Sequence, residues 1–475
     1  MILTHIAHFC KSHLLTHKPK FAKECNFLSP KKKLLNINTL QLNSIINMKG
    51  HYYFILVILI LTISCKNRNE RISNTVTNNK NSQNKVVITK GIAENRKIAK
   101  AVFYFENSES MFGYVNGFTE YVDVISELSE KPRFAEEKTL RDFYFVNGGE
   151  KLHISHIGNN PSYLKTKLNK SGFRCGDITK SNLNSMFQLA LSRAKNDTIS
   201  VLISDAIYDI GQPQAPMNAL STEGRETRSR FIERLNEGDL QTIIIKLTSQ
   251  FTGSYFPVTG GIIPIDQKRP FYIWIFGDTE LLNEYFSDSY IKSLKGYTDN
   301  VRFLKLKDIQ APYQVTTHNK LGDFKFDKRD KNKLFKTKTD RNNQGFQFTF
   351  AVDYSNLPFS DSYLTSNTNY SCSNANFTIR NVVGIEDIKL YGLDFTPTHL
   401  VTVFTNRSPL CQLNISLLNT VPEWILNTNI DDEANIINDT THTFGFRFLT
   451  NAISEAYHHI NQETKIVSFN FELLK

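Results

Sequence analysis

Three short oxygen-rich stretches stand apart in this 475-residue chain. The first, Phe105-Glu106-Asn107-Ser108-Glu109-Ser110-Met111, sets a carboxylate and two hydroxyls on alternate positions. The second, Asp177-Ile178-Thr179-Lys180-Ser181-Asn182-Leu183, adds further hydroxyls, and the third is Ser204-Asp205, where the apolar run Val201-Leu202-Ile203 stops. Oxygen donors without nitrogen or sulfur suit a hard cation: Mg²⁺ takes near-octahedral oxygen ligands and keeps waters, and Mn²⁺ accepts the same donors. The local alternative is a helix N-cap box formed by Glu106, Ser108 and Ser110, with Asp205 capping a turn. That alternative accounts for each stretch separately and leaves their common position at strand ends unexplained.

Strand-like and helix-like segments alternate from Val86 to about Asp308, and these must carry the three stretches. Strands are expected at Ala101–Phe105, Phe143–Val146, Lys151–Ile154, Thr198–Ser204, Gln241–Leu247, Tyr272–Phe276 and Val301–Leu306. Continuous runs such as Ile199-Ser200-Val201-Leu202-Ile203 suit central strands buried on both faces of a mostly parallel sheet. Helical patterns fall at Thr119–Ser129, Leu183–Ala194, Arg225–Leu235 and Glu280–Leu294. This alternation predicts a doubly wound α/β domain over residues 95–310, whose ligands bind outside the carboxyl ends of the strands. Residues 311–340 read as a charged linker or exposed hairpin. Residues 341–475 read as a β-rich, sandwich-like second domain, with strands at Gly345–Val352, Asn376–Ile379, Leu400–Thr405, Cys411–Leu418, Thr443–Leu449 and Lys465–Leu473 and a helical patch at Asn451–Ile460.

In that setting the three stretches resemble the metal-ion-dependent adhesion site of the von Willebrand factor A family. Ser108 and Ser110 match the paired serines of its Asp-x-Ser-x-Ser loop, and Met111 the Met that often follows. Asp205 matches the aspartate after the later strand. Ser181 is the best match to the family's threonine, with Thr179 as the second choice. The departure is Glu106 in place of the leading Asp, which keeps the charge and sets the carboxylate one C–C bond further out. The resemblance implies a site of Glu106, Ser108, Ser110, Ser181 and Asp205 around Mg²⁺ or Mn²⁺, with an open position completed by an acidic side chain of a protein partner.

Other residue types yield less. His153 and His156 point to opposite faces of a strand, and His458 and His459 are adjacent on a helix, so neither pair converges on a metal. Cys372 and Cys411 are candidates for a bridge in an oxidising compartment, and Cys175 reads as an unpaired thiol. Thr259–Pro264 lacks the Gly-Lys-Ser/Thr ending of a phosphate loop and reads as an insertion or hairpin. Trp424 reads either as a partner anchor or as a pin for its own loop.

The amino-terminal part has a different texture. Met48-Lys49 precedes an apolar run from Tyr52 to Leu61, too short to span a membrane, and Thr62-Ile63-Ser64 leads directly to Cys65. The order of charge, apolar run, small residue and Cys resembles a bacterial lipobox, which implies a signal peptide over 48–64 and a lipid on Cys65. Residues 65–94, rich in Asn, Ser and Thr, read as a tether, and residues 1–47 as an upstream extension. Seven Lys and one Glu precede Met48 and Lys49 follows, so only +3 of the formal net charge of +10 remains from Cys65 onward. The basic balance of the whole chain therefore says little about nucleic acid, and no nucleic-acid partner is expected. With 40% hydrophobic and 12% aromatic residues the chain can bury a core, and six Cys rule out a disulfide-dense scaffold.

The whole resembles an envelope lipoprotein of the Bacteroidota. The expected function is a lipid-anchored binding module of the cell envelope, at the outer rather than the inner membrane, and not an enzyme. The rival readings are a metal-dependent hydrolase using Glu106 or Asp205 as base, and a structural scaffold with a dead site. The hydrolase reading lacks a nucleophile–base pair and any His beside the three stretches.

Overall fold

A computed structural model describes residues 96–475, apart from 307–308, 343, 386–389, 391, 434–435 and 437–438. The signal peptide, Cys65, the tether and the upstream extension lie outside the described residues. The first sheet has seven strands: β1 (Lys100–Glu106), β2 (Leu140–Asn147), β3 (His153–Gly158), β4 (Thr198–Ser204), β5 (Gln241–Tyr255), β6 (Ile263–Gly277) and β7 (Tyr297–Phe303). Their spatial order is β3-β2-β1-β4-β6-β5-β7. β1 lies at the centre of the parallel part, between β2 and β4. The other four neighbouring pairs run antiparallel, so the sheet is mixed where residue pattern alone predicts mostly parallel. Short links account for the two hairpins: parallel neighbours need a crossover of a dozen or more residues, whereas Gly148–Leu152 folds β3 back along β2 and Phe256–Ile262 folds β6 back along β5. Thr259–Pro264 is therefore the turn of a hairpin and the start of β6.

That hairpin is long. β5 and β6 stay paired from Gln241↔Gly277 to Tyr255↔Ile263, while β4 accompanies β6 only as far as Ser204↔Tyr272. Residues Ile263–Phe271 thus overhang the carboxyl end of β4, which is where the functional residues were expected.

Both faces of the sheet are covered. One apolar layer holds Phe103, Phe105, Val201, Ile203, Ile243 and Ile245 with Tyr121, Val124 and Leu128 of helix α1 (Glu120–Ser129). On the other face Val102, Leu202, Ile244 and Trp274 pack under α2 (Leu183–Arg193), α3 (Pro216–Asn236) and α4 (Phe446–Asn461). α4 comes from the carboxyl-terminal stretch, yet it lies on the α/β sheet. Phe446 stacks on Tyr272 with ring centroids 4.4 Å apart, and the Tyr457 hydroxyl sits 2.9 Å from that of Thr242. A strand over Thr443–Leu449 does not form beyond Thr443–Phe444. Gly445, at φ 68°, lets the chain turn directly into α4, a left-handed conformation that favours glycine.

The remaining strands form two further sheets. β8 (Tyr313–Leu321), β9 (Asp323–Phe326), β10 (Lys333–Lys338), β11 (Phe346–Val352), β12 (Tyr370–Cys372), β13 (Phe377–Gly384), β14 (His399–Thr405), β15 (Cys411–Leu418) and β16 (Lys465–Leu473) make a five-stranded sheet, β12-β15-β16-β10-β9, and a four-stranded one, β13-β14-β11-β8. Phe348, Phe350, Val403, Ile415, Phe469 and Phe471 from both sheets share one core, an aromatic-rich β-layer pair. The charged Lys320–Lys338 stretch contains the β9–β10 antiparallel pairing. The described residues from 96 onward form one compact unit.

Candidate functional site

β1 ends at Glu106, paired with Val146 of β2, and the chain then turns into a short 3-10 turn, Glu109–Gly113. Ser108 occupies the N-cap position of that turn, but its hydroxyl makes no capping bond. It donates instead to Glu106 Oε1 at 2.7 Å and lies 3.0 Å from the Ser110 hydroxyl. The capping alternative therefore fails for Ser108, whose side chain serves the carboxylate.

The loop carrying Ser181 is tied to the ends of β1 and β2 by two buried asparagines. Asn107 Nδ2 donates to the carbonyls of Phe173 (2.8 Å) and Cys175 (3.0 Å), and Asn147 Nδ2 to that of Cys175 (2.7 Å). Backbone bonds add Glu109 N to Ile178 O and Gly148 N to Lys180 O, both 2.9 Å. The result brings the Ser181 hydroxyl to Glu106 Oε1 at 2.5 Å. Thr179 turns elsewhere, donating to Asp177 Oδ1 at 2.8 Å. Asn182 then caps α2 by accepting from Ser185 N.

Asp205 leaves the end of β4 buried, 3% exposed, beside Glu106 at 1%. Its Oδ1 accepts from Ile207 N at 3.2 Å, and Ser110 lines the same cavity. The next residue, Ala206, has φ 61°, a strained left-handed backbone for a residue with a Cβ, and its N–H is held by Ser204 Oγ at 2.8 Å. All five residues picked out by sequence thus meet on one cluster, and Glu106 Oε1 is its hub.

Burial dominates the electrostatics. It pushes the Glu106 carboxyl up to about 7, the nearby Asp205 charge adding to the rise and the Ser181, Ser204 and Ser108 hydroxyls opposing it. Asp205 is raised as well, first by burial, with the Arg269 guanidinium pulling it back. Among the described residues Glu106 Oε2 is buried without a hydrogen-bond partner. An acceptor of that kind, beside a second buried carboxylate, is costly unless a proton or a cation compensates it.

The cluster forms the floor of a cavity of about 290 Å³. Ile178, Ile207 and Tyr208 line its sides, and Tyr255–Val258 at the tip of the overhanging hairpin wall it in. A further acid, Glu433, enters from the segment preceding α4. It is 6% exposed, accepts from Val258 N at 2.7 Å, and takes the Tyr255 hydroxyl proton in a hydrogen bond. Asp209 sits on the rim, accepting from Ser181 N and Gly211 N at 3.3 Å each, so it braces the loops.

Glu433, Tyr255 and Arg269 are the site residues that sequence reading misses, and Ser204, though it stands in the third stretch, is given no role there. Glu433 and Tyr255 are 178 positions apart in sequence, and no local pattern signals their meeting. The only hint for Arg269 is a charge lodged against the apolar run that begins at Phe271.

The donor set fits a hard divalent ion: two carboxylates, hydroxyls on both sides, and an unpartnered carboxylate oxygen. Among the described residues no three His, Cys, Asp or Glu side chains gather into a metal-binding group, so any ion here would lean on the serines. Elsewhere, His156 Nε2 faces Asp142 at 3.5 Å on an exposed strand, and His458 Nε2 meets Asn419 O at 2.7 Å. Among the described residues Cys175, Cys372 and Cys411 form no disulfide with one another, so the candidate Cys372–Cys411 bridge is not made. Trp424 packs 6.1 Å from Phe446, pinning its segment to the α/β layer. No helix among the described residues is long and apolar enough to cross a membrane. Comparison with protein-family models gives no match, and no curated protein matches the sequence.

Proposed function

We propose that this chain is a lipid-anchored protein of the cell envelope whose α/β layer is von Willebrand factor A-like and binds a protein partner through a divalent cation. Glu106, Ser108, Ser110, Ser181 and Asp205 would hold Mg²⁺ or Mn²⁺, and an acidic side chain of the partner would enter the cavity to complete its shell. One observation carries the reading: hydroxyls from two separate loops converge on Glu106 Oε1, while Oε2 stays buried and unpartnered beside Asp205. The cation supplies charge compensation; this chain supplies the oxygen floor, the apolar walls that exclude water, and the hairpin that limits access.

The test is thermal unfolding of the full chain in chelator and in millimolar Mg²⁺ or Mn²⁺. Binding to the folded state alone stabilises by about 2.7 kcal/mol at one hundred times Kd. Asp205→Asn and Ser108→Ala should remove that gain while near-UV circular dichroism stays native. A wild-type melting temperature indifferent to both cations refutes the reading. Anchoring is tested separately: Cys65→Ser should release the protein from membranes.

One observation also favours a hydrolase reading, since two buried carboxyls with raised pKa form a pair suited to proton transfer. Turnover in a hydrolase screen, lost in Asp205→Asn, would select it over the adhesion reading.

A further inference from the structure

β6 carries a buried cation just beyond the point where β4 ends. Ser204 pairs with Tyr272, so Asp205 leaves the sheet at the level of Phe271. Arg269 lies two residues before Phe271 on β6, in the part that overhangs β4, and alternation puts both side chains on the face that Asp205 enters. Arg269 is 2% exposed, and its Nε has no hydrogen-bond partner among the described residues. Its guanidinium carbon lies 4.5 Å from the Tyr255 ring centroid and 5.2 Å from that of Phe251. The two aromatic faces hold it without neutralising it. Two acids flank it: Asp205, which strand register brings to the level of Phe271, and Glu433, which is bonded by the hydroxyl of the same Tyr255 that Arg269 faces.

We propose that Arg269 is a specificity-determining residue of this site: its guanidinium is the standing counter-charge to Asp205, and it sets how tightly a divalent cation is held. The inference rests on the cation-binding reading above and goes further, because it makes the affinity a property of the overhanging hairpin. With Arg269 in place, the acid cluster stays partly compensated when no cation is bound. An arriving dication meets both the attraction of Glu106 and Asp205 and the repulsion of a fixed positive charge, so loading is weak and reversible. A purely structural arginine, present only to fill the space between Phe251 and Tyr255, would have no such effect.

The experiment is Mn²⁺ titration of the full chain, read by electron paramagnetic resonance of free Mn²⁺ and by melting temperature, for wild type, Arg269→Met, Arg269→Gln and Arg269→Lys. Removing a unit charge from a site of low effective dielectric should tighten Mn²⁺ binding by about tenfold or more in the Met and Gln variants. The Lys variant should bind as wild type does. Wild-type binding that is unchanged or weakened in both Met and Gln, with native near-UV circular dichroism, overturns the proposal and leaves the cation site standing. Mn²⁺ binding in the neutral variants alone refutes native cation binding and, with it, the proposal that Arg269 tunes that binding. Binding in none of the four proteins refutes both. Gln, which keeps a polar head, serves if Met fails to fold.

Discussion

Glu106→Gln should make the cation-free protein more stable, not less, at neutral and alkaline pH. The Glu106 carboxyl is fully buried beside Asp205, and its pKa stands at about 7 against an ordinary 4.5. A carboxyl whose pKa rises on folding gives its full contribution to stability below the unfolded value. That contribution is lost as pH climbs through the folded value. The shift, at 1.36 kcal/mol per unit, places the loss at about 3 kcal/mol between pH 4.5 and pH 8. Glutamine keeps an oxygen that can accept from Ser108 and Ser181 but carries no charge, so it escapes the penalty. Urea denaturation in chelator should show the variant ahead by about 3 kcal/mol at pH 8 and level with wild type at pH 4.5. Adding Mn²⁺ at pH 8 should close the gap from the wild-type side only. A variant that is equal or inferior to wild type at pH 8 in chelator would refute the claim that burial and Asp205 strain this carboxylate.

Three further outcomes follow from neighbouring contacts. Ser181→Ala removes one of two hydroxyls on Glu106 Oε1, and urea denaturation at pH 8 should record a loss of about 1.5–3 kcal/mol, smaller at pH 4.5 where the acceptor is protonated. Ala206→Gly relieves a left-handed φ of 61° and should raise stability by about 0.5–1 kcal/mol in the same assay; a loss would show that the backbone there is unstrained. Tyr255→Phe deprives buried Glu433 of its hydroxyl donor and should cost about 1–3 kcal/mol, with partial recovery at low pH as that acid protonates.

Much of the frame and the five-residue cluster is legible in the residues. Thr198–Ser204 and Cys411–Leu418 emerge with the expected bounds because β-branched and apolar runs end at polar residues. The strand ends could be located, and with them Glu106 and Asp205. Strand direction is another matter. Nothing in Tyr272–Phe276 distinguishes a parallel from an antiparallel neighbour, since a strand buried on both faces reads the same either way. Its direction is fixed by the short Phe256–Ile262 turn. Thr443–Leu449 misleads for a related reason: Phe444, Phe446 and Phe448 alternate as in a strand, while the helix beginning at Phe446 buries Phe446, Leu449 and Ile453 on one face.

The unread part of the molecule is also what gives the readable part its chemistry. Carboxylates at the open carboxyl ends of β1 and β4 would be solvated, with ordinary pKa values and little reason to hold an ion. The Tyr255–Val258 tip and Glu433 enclose them, and the two elements brace each other through Tyr255 and Val258 N. Glu433 is delivered by the segment that leads to α4, and α4 is fixed to the far face of the same sheet through Phe446 on Tyr272. Tyr272 is the β6 residue opposite Ser204, immediately before Asp205. The carboxyl-terminal chain therefore grips β6 at the level where the site begins. A change in how α4 seats on β6 would reach Asp205 through two residues, without any movement of the metal-type loops themselves.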